Sequence, residues 1–253
     1  MVGKDLIMAT LLGSGGGSSG SGGGGGIDAL IDGSITEVSS DAGIVRPYAF
    51  YGCANLVRAS FPNAESVGTY AFKTSAVEDI SFPVAKQVGR YAFQTCSKLK
   101  AAYFPEVTAA DADTFASCAD LKSAKFPKLT NIPHRMFQYC YGLVTADFSV
   151  ATEISSMGVF TDCRIMTALI LRSETLCALS GSSAFSNCYH MLGTTNSSYN
   201  PNGLHDGYVY VPRSLIEEYP VATNWSALTL QYRALEDYTV DGTITGDLDK
   251  SKI

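Results

Sequence analysis

Six of the seven cysteines fall in one column: Cys53, Cys96, Cys118, Cys140, Cys163 and Cys188, each three residues after a phenylalanine. A thiol recurring at fixed spacing invites a disulfide ladder or a thiolate metal site. Neither follows here. Side chains stacked on successive strands, about 4.8 Å apart, run parallel instead of toward one another. No C-x-x-C pair occurs, and the total is odd. The column is read as free structural thiols, since Cys packs as a small buried hydrophobe. Cys177 lies off the column and is a candidate for exposure.

The remaining reactive residues are scattered. His134, His190 and His205 have no partner at metal-ligand spacing and no adjacent nucleophile motif, and are read as solvated loop residues. Gly15, Gly17 and Gly20 match G-x-G-x-x-G inside a polyglycine tract, where neither a strand before nor an apolar helix after would build a phosphate site. Glu217 and Glu218 read as a helix surface. The tripeptides at Asn196 and Asn224 fit the glycosylation pattern, which is too short to carry weight. No catalytic, cofactor-binding or metal-ligating residue is nominated, and the chain is expected not to be an enzyme.

What must position the cysteines is a repeat. Phe50, Phe72, Phe93, Phe115, Phe137, Phe160 and Phe185 recur at 21 to 25 residues. Six residues beyond most of them stands Leu56, Leu99, Leu121, Leu143, Met166 or Met191, with Val77 five beyond Phe72 in a shortened unit. A second aromatic column follows at Phe61, Phe82, Phe104, Phe126 and Phe148, with Leu171 in its place later. Pro62, Pro83, Pro105 and Pro127 follow that column directly, where proline ends a strand without breaking a ladder. Pairs such as Ala59 and Phe61, two apart, have the period of a short strand with one buried face. One such unit cannot bury its own apolar residues, so they form a core only when coils stack.

In Tyr91-Ala92-Phe93, Cys96, Leu99 and Phe104-Pro105, and their counterparts, the chain resembles the BspA-like, or treponemal, type of leucine-rich repeat over about residues 44 to 212. The resemblance implies an α/β-type repeat solenoid of about seven repeats. Short parallel strands would form one sheet, with loops, turns or short helical segments on the other side. It also implies surface or secreted proteins of bacteria and some protists, implicated in adhesion, with similar repeats in phage-encoded proteins. It supplies no catalytic residues.

The rest of the chain divides around this solenoid. Residues 1–12 are a short apolar segment, 13–26 are all Gly or Ser and read as a flexible linker, and 27–43 form an N-terminal cap with Ile31, Ile35 and Val38 as a first strand. At the other end, 213–237 form a cap: Ser214 and Glu217 fit a capping box, Tyr219 and Trp225 pack over the last coil, and Leu228, Leu230 and Tyr232 suggest a closing strand. Residues 238–253 turn polar and read as a tail.

Charged residues are 17% of the 253 and the net charge is -6, so no basic stripe attracts a phosphate backbone and nucleic acid is not an expected partner. No run reaches the length of a membrane-spanning helix, and no convincing export signal is read in the first residues. The feature left for function is the outer strand face: Arg58, Ser60, Asp79, Ser81, Tyr103, Ser123, Lys125, Thr145, Asp147 and Ile170. Solenoids bind along such surfaces. Its expected partner is a protein or carbohydrate, with the chain on a virion or a bacterial surface. The alternative is a spacer with no ligand of its own.

Overall fold

A computed structural model describes residues 35–237. The expectations for residues 1–12, the Gly/Ser linker, Ile31 and the tail 238–253 lie outside the described residues. The chain winds as a solenoid whose front strands run parallel in a three-stranded sheet, Glu37–Ser39, Arg58–Ser60 and Asp79–Ser81, and a six-stranded one. The latter takes Ala101–Tyr103, Ser123–Lys125, Thr145–Phe148, Ala168–Leu171, Tyr208–Val211 and Gln231–Ala234 in chain order. Each front strand turns its middle residue inward, as with Ala59, Ala102 and Ala124, followed by the buried second phenylalanine. The proline then turns the chain.

The expected single sheet is joined by a second ladder. Two-residue strands Ile44–Val45, Ser66–Val67, Gln87–Val88 and Ala109–Ala110 pair parallel on the adjoining side, and Asn131–Ile132, Glu153–Ile154 and Ala178–Leu179 do so further along. Among the described residues helix is reduced to single turns, one of them Tyr189–Leu192. The third side is also laddered: Tyr70, Phe72 and Thr74 donate their backbone N–H to Arg90, Ala92 and Gln94 of the next coil at 3.0, 2.7 and 2.9 Å. Aiming every second N–H along the axis uses left-handed backbone at Tyr70 (φ 60°) and Thr74 (φ 59°), and the pattern recurs two residues either side of the phenylalanine in other coils. Left-handed backbone costs a non-glycine residue roughly 1–2 kcal/mol. Inter-coil hydrogen bonding offsets that cost, because an unpaired buried amide is worse.

The core is two aromatic columns. Rings of the first stack nearly parallel, Phe72–Phe93 at 5.1 Å, Phe93–Phe115 at 5.2 Å and Phe115–Phe137 at 5.8 Å between centroids. The second column, Phe61 to Phe148, stacks likewise and meets the first edge-on, as Phe115 does Phe126 at 5.7 Å and 63°. Burying each Phe contributes roughly 1.5–3 kcal/mol, and good ring pairs add about 0.5–1.5 kcal/mol. Trp225 closes the far end over Phe185 at 6.0 Å, with Tyr219 edge-on to it. Gly68 serves the stacking at one crowded place: a Cβ there would lie 2.4 Å from the Pro47 nitrogen of the preceding coil.

Candidate functional site: the open half of the front face

Register sets the front face. Outward positions line up as Ser39, Ser60 and Ser81 in one sheet, and as Tyr103, Lys125, Asp147, Ile170, Tyr210 and Arg233 in the other, with Ile170 directly beside Tyr210. A parallel column from Glu37 through Arg58 and Asp79 runs beside the serines. Arg58 ion-pairs with Glu37 and lies 3.7 Å from Asp79. Such exposed pairs contribute little stability and leave the charges available to a partner. Tyr103 is 55% exposed, and the Lys125 ammonium lies 6.0 Å from its ring.

Two of the expected face residues are not exposed. Ile170 is only 2% accessible, because Leu235 folds back over the sheet and packs with Ala168, Ile170 and Tyr210 in a small apolar cluster of its own. Asp147 is 7% accessible: Arg172 from the next coil grips its carboxylate with two bonds of 2.9 and 2.8 Å, and Lys125 lies 4.0 Å away. Thr145 and Ser60 are half-buried, whereas Arg58, Asp79, Ser81, Ser123, Tyr103 and Lys125 are exposed. The face is thus open over the N-terminal coils and closed over the C-terminal ones. The clamp is anchored by Glu236, whose carboxylate accepts the Arg213 backbone N–H at 3.0 Å, and by an Asp237–Arg213 ion pair.

The capping box expected at Ser214 and Glu217 does not form. Arg213–Leu215 is one 3-10 turn with no side-chain cap, and Pro220 sits in the next, Tyr219–Val221, so no helix grows for a box to cap. Cys177, the candidate for exposure, is buried. Its N–H reaches the Tyr219 hydroxyl at 3.0 Å and its carbonyl accepts the Trp225 indole N–H at 2.8 Å, so the C-terminal segment seals it.

The cysteine column has a polar function inside the core. Each thiol from Cys96 onward donates to the carbonyl of the phenylalanine one coil back: Cys96 to Phe72 at 3.0 Å, Cys118 to Phe93 at 3.1 Å and Cys140 to Phe115 at 3.1 Å. Burial pushes Cys53 up to about 11 and Cys96 and Cys140 up to about 12. These thiols stay protonated at neutral pH, the wrong form for a nucleophile or metal ligand. No group of three or more metal-ligating side chains is found among the described residues.

His134 is exposed, but His190 and His205 are not solvated loop residues. His190 bonds Asp206 at 2.6 Å through Nδ1 and the Tyr199 carbonyl at 3.0 Å through Nε2, and His205 reaches the Met191 carbonyl at 3.0 Å. All three contacts pin an insertion, residues 193–207, that separates Met191 from the strand it would otherwise feed directly. Buried Asn200 is its keystone, donating to the Tyr189, Thr194 and Leu204 carbonyls and accepting the Leu204 N–H. Asn224, in one of the two glycosylation tripeptides, spends its amide on the Leu179 carbonyl at 2.6 Å beside buried Trp225.

A family model described as the BspA type leucine rich repeat region matches residues 34–144 and 111–199, in six copies. Among solved structures, the T. pallidum leucine rich repeat protein TpLRR is similar at 24% identity and a TM-score of 0.55, over 68% of this chain and 80% of that one. A leucine rich cell surface protein of Faecalibacterium prausnitzii A2-165 is 17% identical over 72% of this chain and 64% of its own, with a TM-score of 0.48. The pneumococcal vaccine antigen PcpA is 14% identical with a TM-score of 0.48, and this chain spans only 41% of it. At 24% identity the likeness to TpLRR is one of fold. No curated protein sequence matches the chain.

Proposed function

Because the chain belongs to the BspA-type leucine-rich-repeat family, we propose that it is a non-catalytic binding module that takes a protein partner on the open, N-terminal half of its front face. The observation that carries this reading is the split of that face: Leu235 and Arg172 close it from Asp147 onward, while Arg58, Asp79 and Ser81 on the three-stranded sheet and Tyr103, Ser123 and Lys125 on the six-stranded one stand open. An exposed tyrosine with a neighbouring cation has the composition of an interface hot spot. The core offers no competing chemistry, since its thiols are buried and held protonated. No helix among the described residues is long and apolar enough to cross a membrane. A bacterial or virion surface remains the proposed location, on the strength of the family resemblance, with adhesion as the proposed role.

The test is attachment of the fluorescently labelled chain to candidate host cells. Tyr103→Ala combined with Lys125→Ala should weaken attachment at least about tenfold, the loss of one hot spot, while Tyr208→Ala in the covered half should not. Attachment indifferent to both would favour a spacer whose coils only hold its two ends apart.

A further inference from the structure

A different flank of the solenoid carries an aromatic ladder, exposed at Tyr48 and half-buried at Tyr70 and Tyr91, that the front-face reading does not use. Tyr48, Tyr70 and Tyr91 stand two residues before the phenylalanines of successive coils, and their rings stack at 4.8 and 4.9 Å with interplanar angles of 18° and 19°. All three adopt left-handed backbone, φ 59–61°, where a bulky side chain is an outlier and glycine or aspartate is the usual occupant. Later coils place Asp113, Arg135 and Gly158 at the same position. Inter-coil bonding offsets the backbone cost, and the three tyrosines, with Tyr48 51% exposed and Tyr51 tilted against it at 5.9 Å, form a continuous aromatic strip along this flank.

Charge supplies the second observation. The Lys73 ammonium lies over the rings of Tyr70 and Tyr91 at 5.1 and 5.3 Å, and Arg90 lies over Tyr91 at 4.7 Å. Asp113 provides one negative charge for two guanidiniums, Arg135 in two bonds of 2.7 and 3.0 Å and Arg90 at 3.5 Å, and with Lys73 the three cations outnumber the carboxylates of Asp113 and Asp111 on a chain of net charge -6. A groove of about 270 Å³ lies alongside, and its lining includes Pro47 and Thr69, immediately before Tyr48 and Tyr70, the polar side chains of Ser66 and Gln87, and the carboxylate of Asp111 at its far end.

We infer that this flank is a second binding site, for an acidic linear polysaccharide lying along the solenoid axis. A polymer of repeated units meets a tyrosine rung at each of three successive coils. Its ring faces and C–H edges lie against the outer tyrosine and the ladder edges, its hydroxyls reach the groove, and its carboxylates or sulfates neutralise Lys73 and Arg90. The stacked rings hold the cations in place, so little ordering is left to binding.

Affinity electrophoresis of the full chain through gels containing polygalacturonate, which bears a carboxylate on every sugar, tests the site. Methyl-esterified polygalacturonate is the neutral match and polyglutamate the anionic peptide match. The chain should be retarded by the acid glycan alone. Lys73→Gln and Tyr70→Gly should each weaken retardation about tenfold, with the Tyr70→Gly melting temperature maintained because glycine suits that backbone. Tyr103→Ala on the front face should change nothing, so this site and the front-face reading succeed or fail separately. Absence of retardation by polygalacturonate, equal retardation by the ester or by polyglutamate, or indifference to both substitutions overturns the assignment.

Discussion

The smallest unit that explains this chain is the Cys–Phe contact. A thiol three residues after one phenylalanine donates to the carbonyl of the phenylalanine a coil earlier, which explains why a polar-capable residue recurs in an apolar column. Protonation is part of that bond, and its pH dependence has a definite sign. The folded state holds Cys53, Cys96 and Cys140 above their ordinary 9.0, at about 11, 12 and 12, whereas the unfolded chain titrates near 9.0. Their stabilisation is therefore complete below about pH 9 and is lost as pH rises toward the folded values, with each thiol contributing up to about 1.4 kcal/mol per pH unit in that window. Urea midpoints should be level from about pH 7 to about pH 8 and fall clearly by about pH 10; a level midpoint throughout would contradict the burial of the column. Left-handed backbone gives the second residue-scale test. Thr95 is β-branched at φ 61°, so Thr95→Gly should relieve about 1–2 kcal/mol of strain against about 0.5–1 kcal/mol of added chain entropy. The variant should melt at or slightly above the parent temperature, and a clear loss would mean that the threonine side chain makes contacts that matter.

At the scale of elements, the coil was legible where it repeats and opaque where it does not. The phenylalanine, leucine and proline columns announce front strands and turns because every coil reuses the same contacts. The side ladder was equally present in Val45, Val67, Val88, Ile132, Ile154 and Leu179, five or six residues before each phenylalanine, but two-residue strands leave no alternation to read. Ile170 looked like a face residue because its register is that of Tyr103 and Lys125; Leu235, which covers it, arrives from a separate part of the chain that no local period connects. Cys177 was missed for the same reason, sealed by Tyr219 and Trp225 from far along the sequence. The insertion 193–207 is likewise outside the repeat and held by its own bonds. Asn200→Ala removes three donated bonds and one accepted bond, and leaving such partners unsatisfied costs about 1–3 kcal/mol each. Amide exchange should accelerate across 194–206 and stay unchanged around Phe115, since a locally bonded loop opens as its own unit. Exchange spreading through the coils would show that the insertion braces the stack.

For the whole molecule, stability depends on continuity along the axis, and so does the proposed binding face. A solenoid that contacts only neighbouring coils transmits a defect through its interfaces, and here the interface is a run of aromatic rings from Phe50 to Phe185 ending on Trp225. Rigidity along that axis keeps the open serine and tyrosine rows of the front face in register, so a partner would meet a preformed surface. Trp225 is the single tryptophan of the chain, so its fluorescence reports the far end of the column alone. Guanidinium unfolding of Phe115→Ala, followed by that emission, is the direct measurement of the stack. A shared spine predicts a loss of about 3–5 kcal/mol, seen at Trp225 as a midpoint shifted to lower denaturant although the substitution lies several coils away. An unshifted midpoint would contradict the claim that the aromatic column joins the coils into one cooperative body.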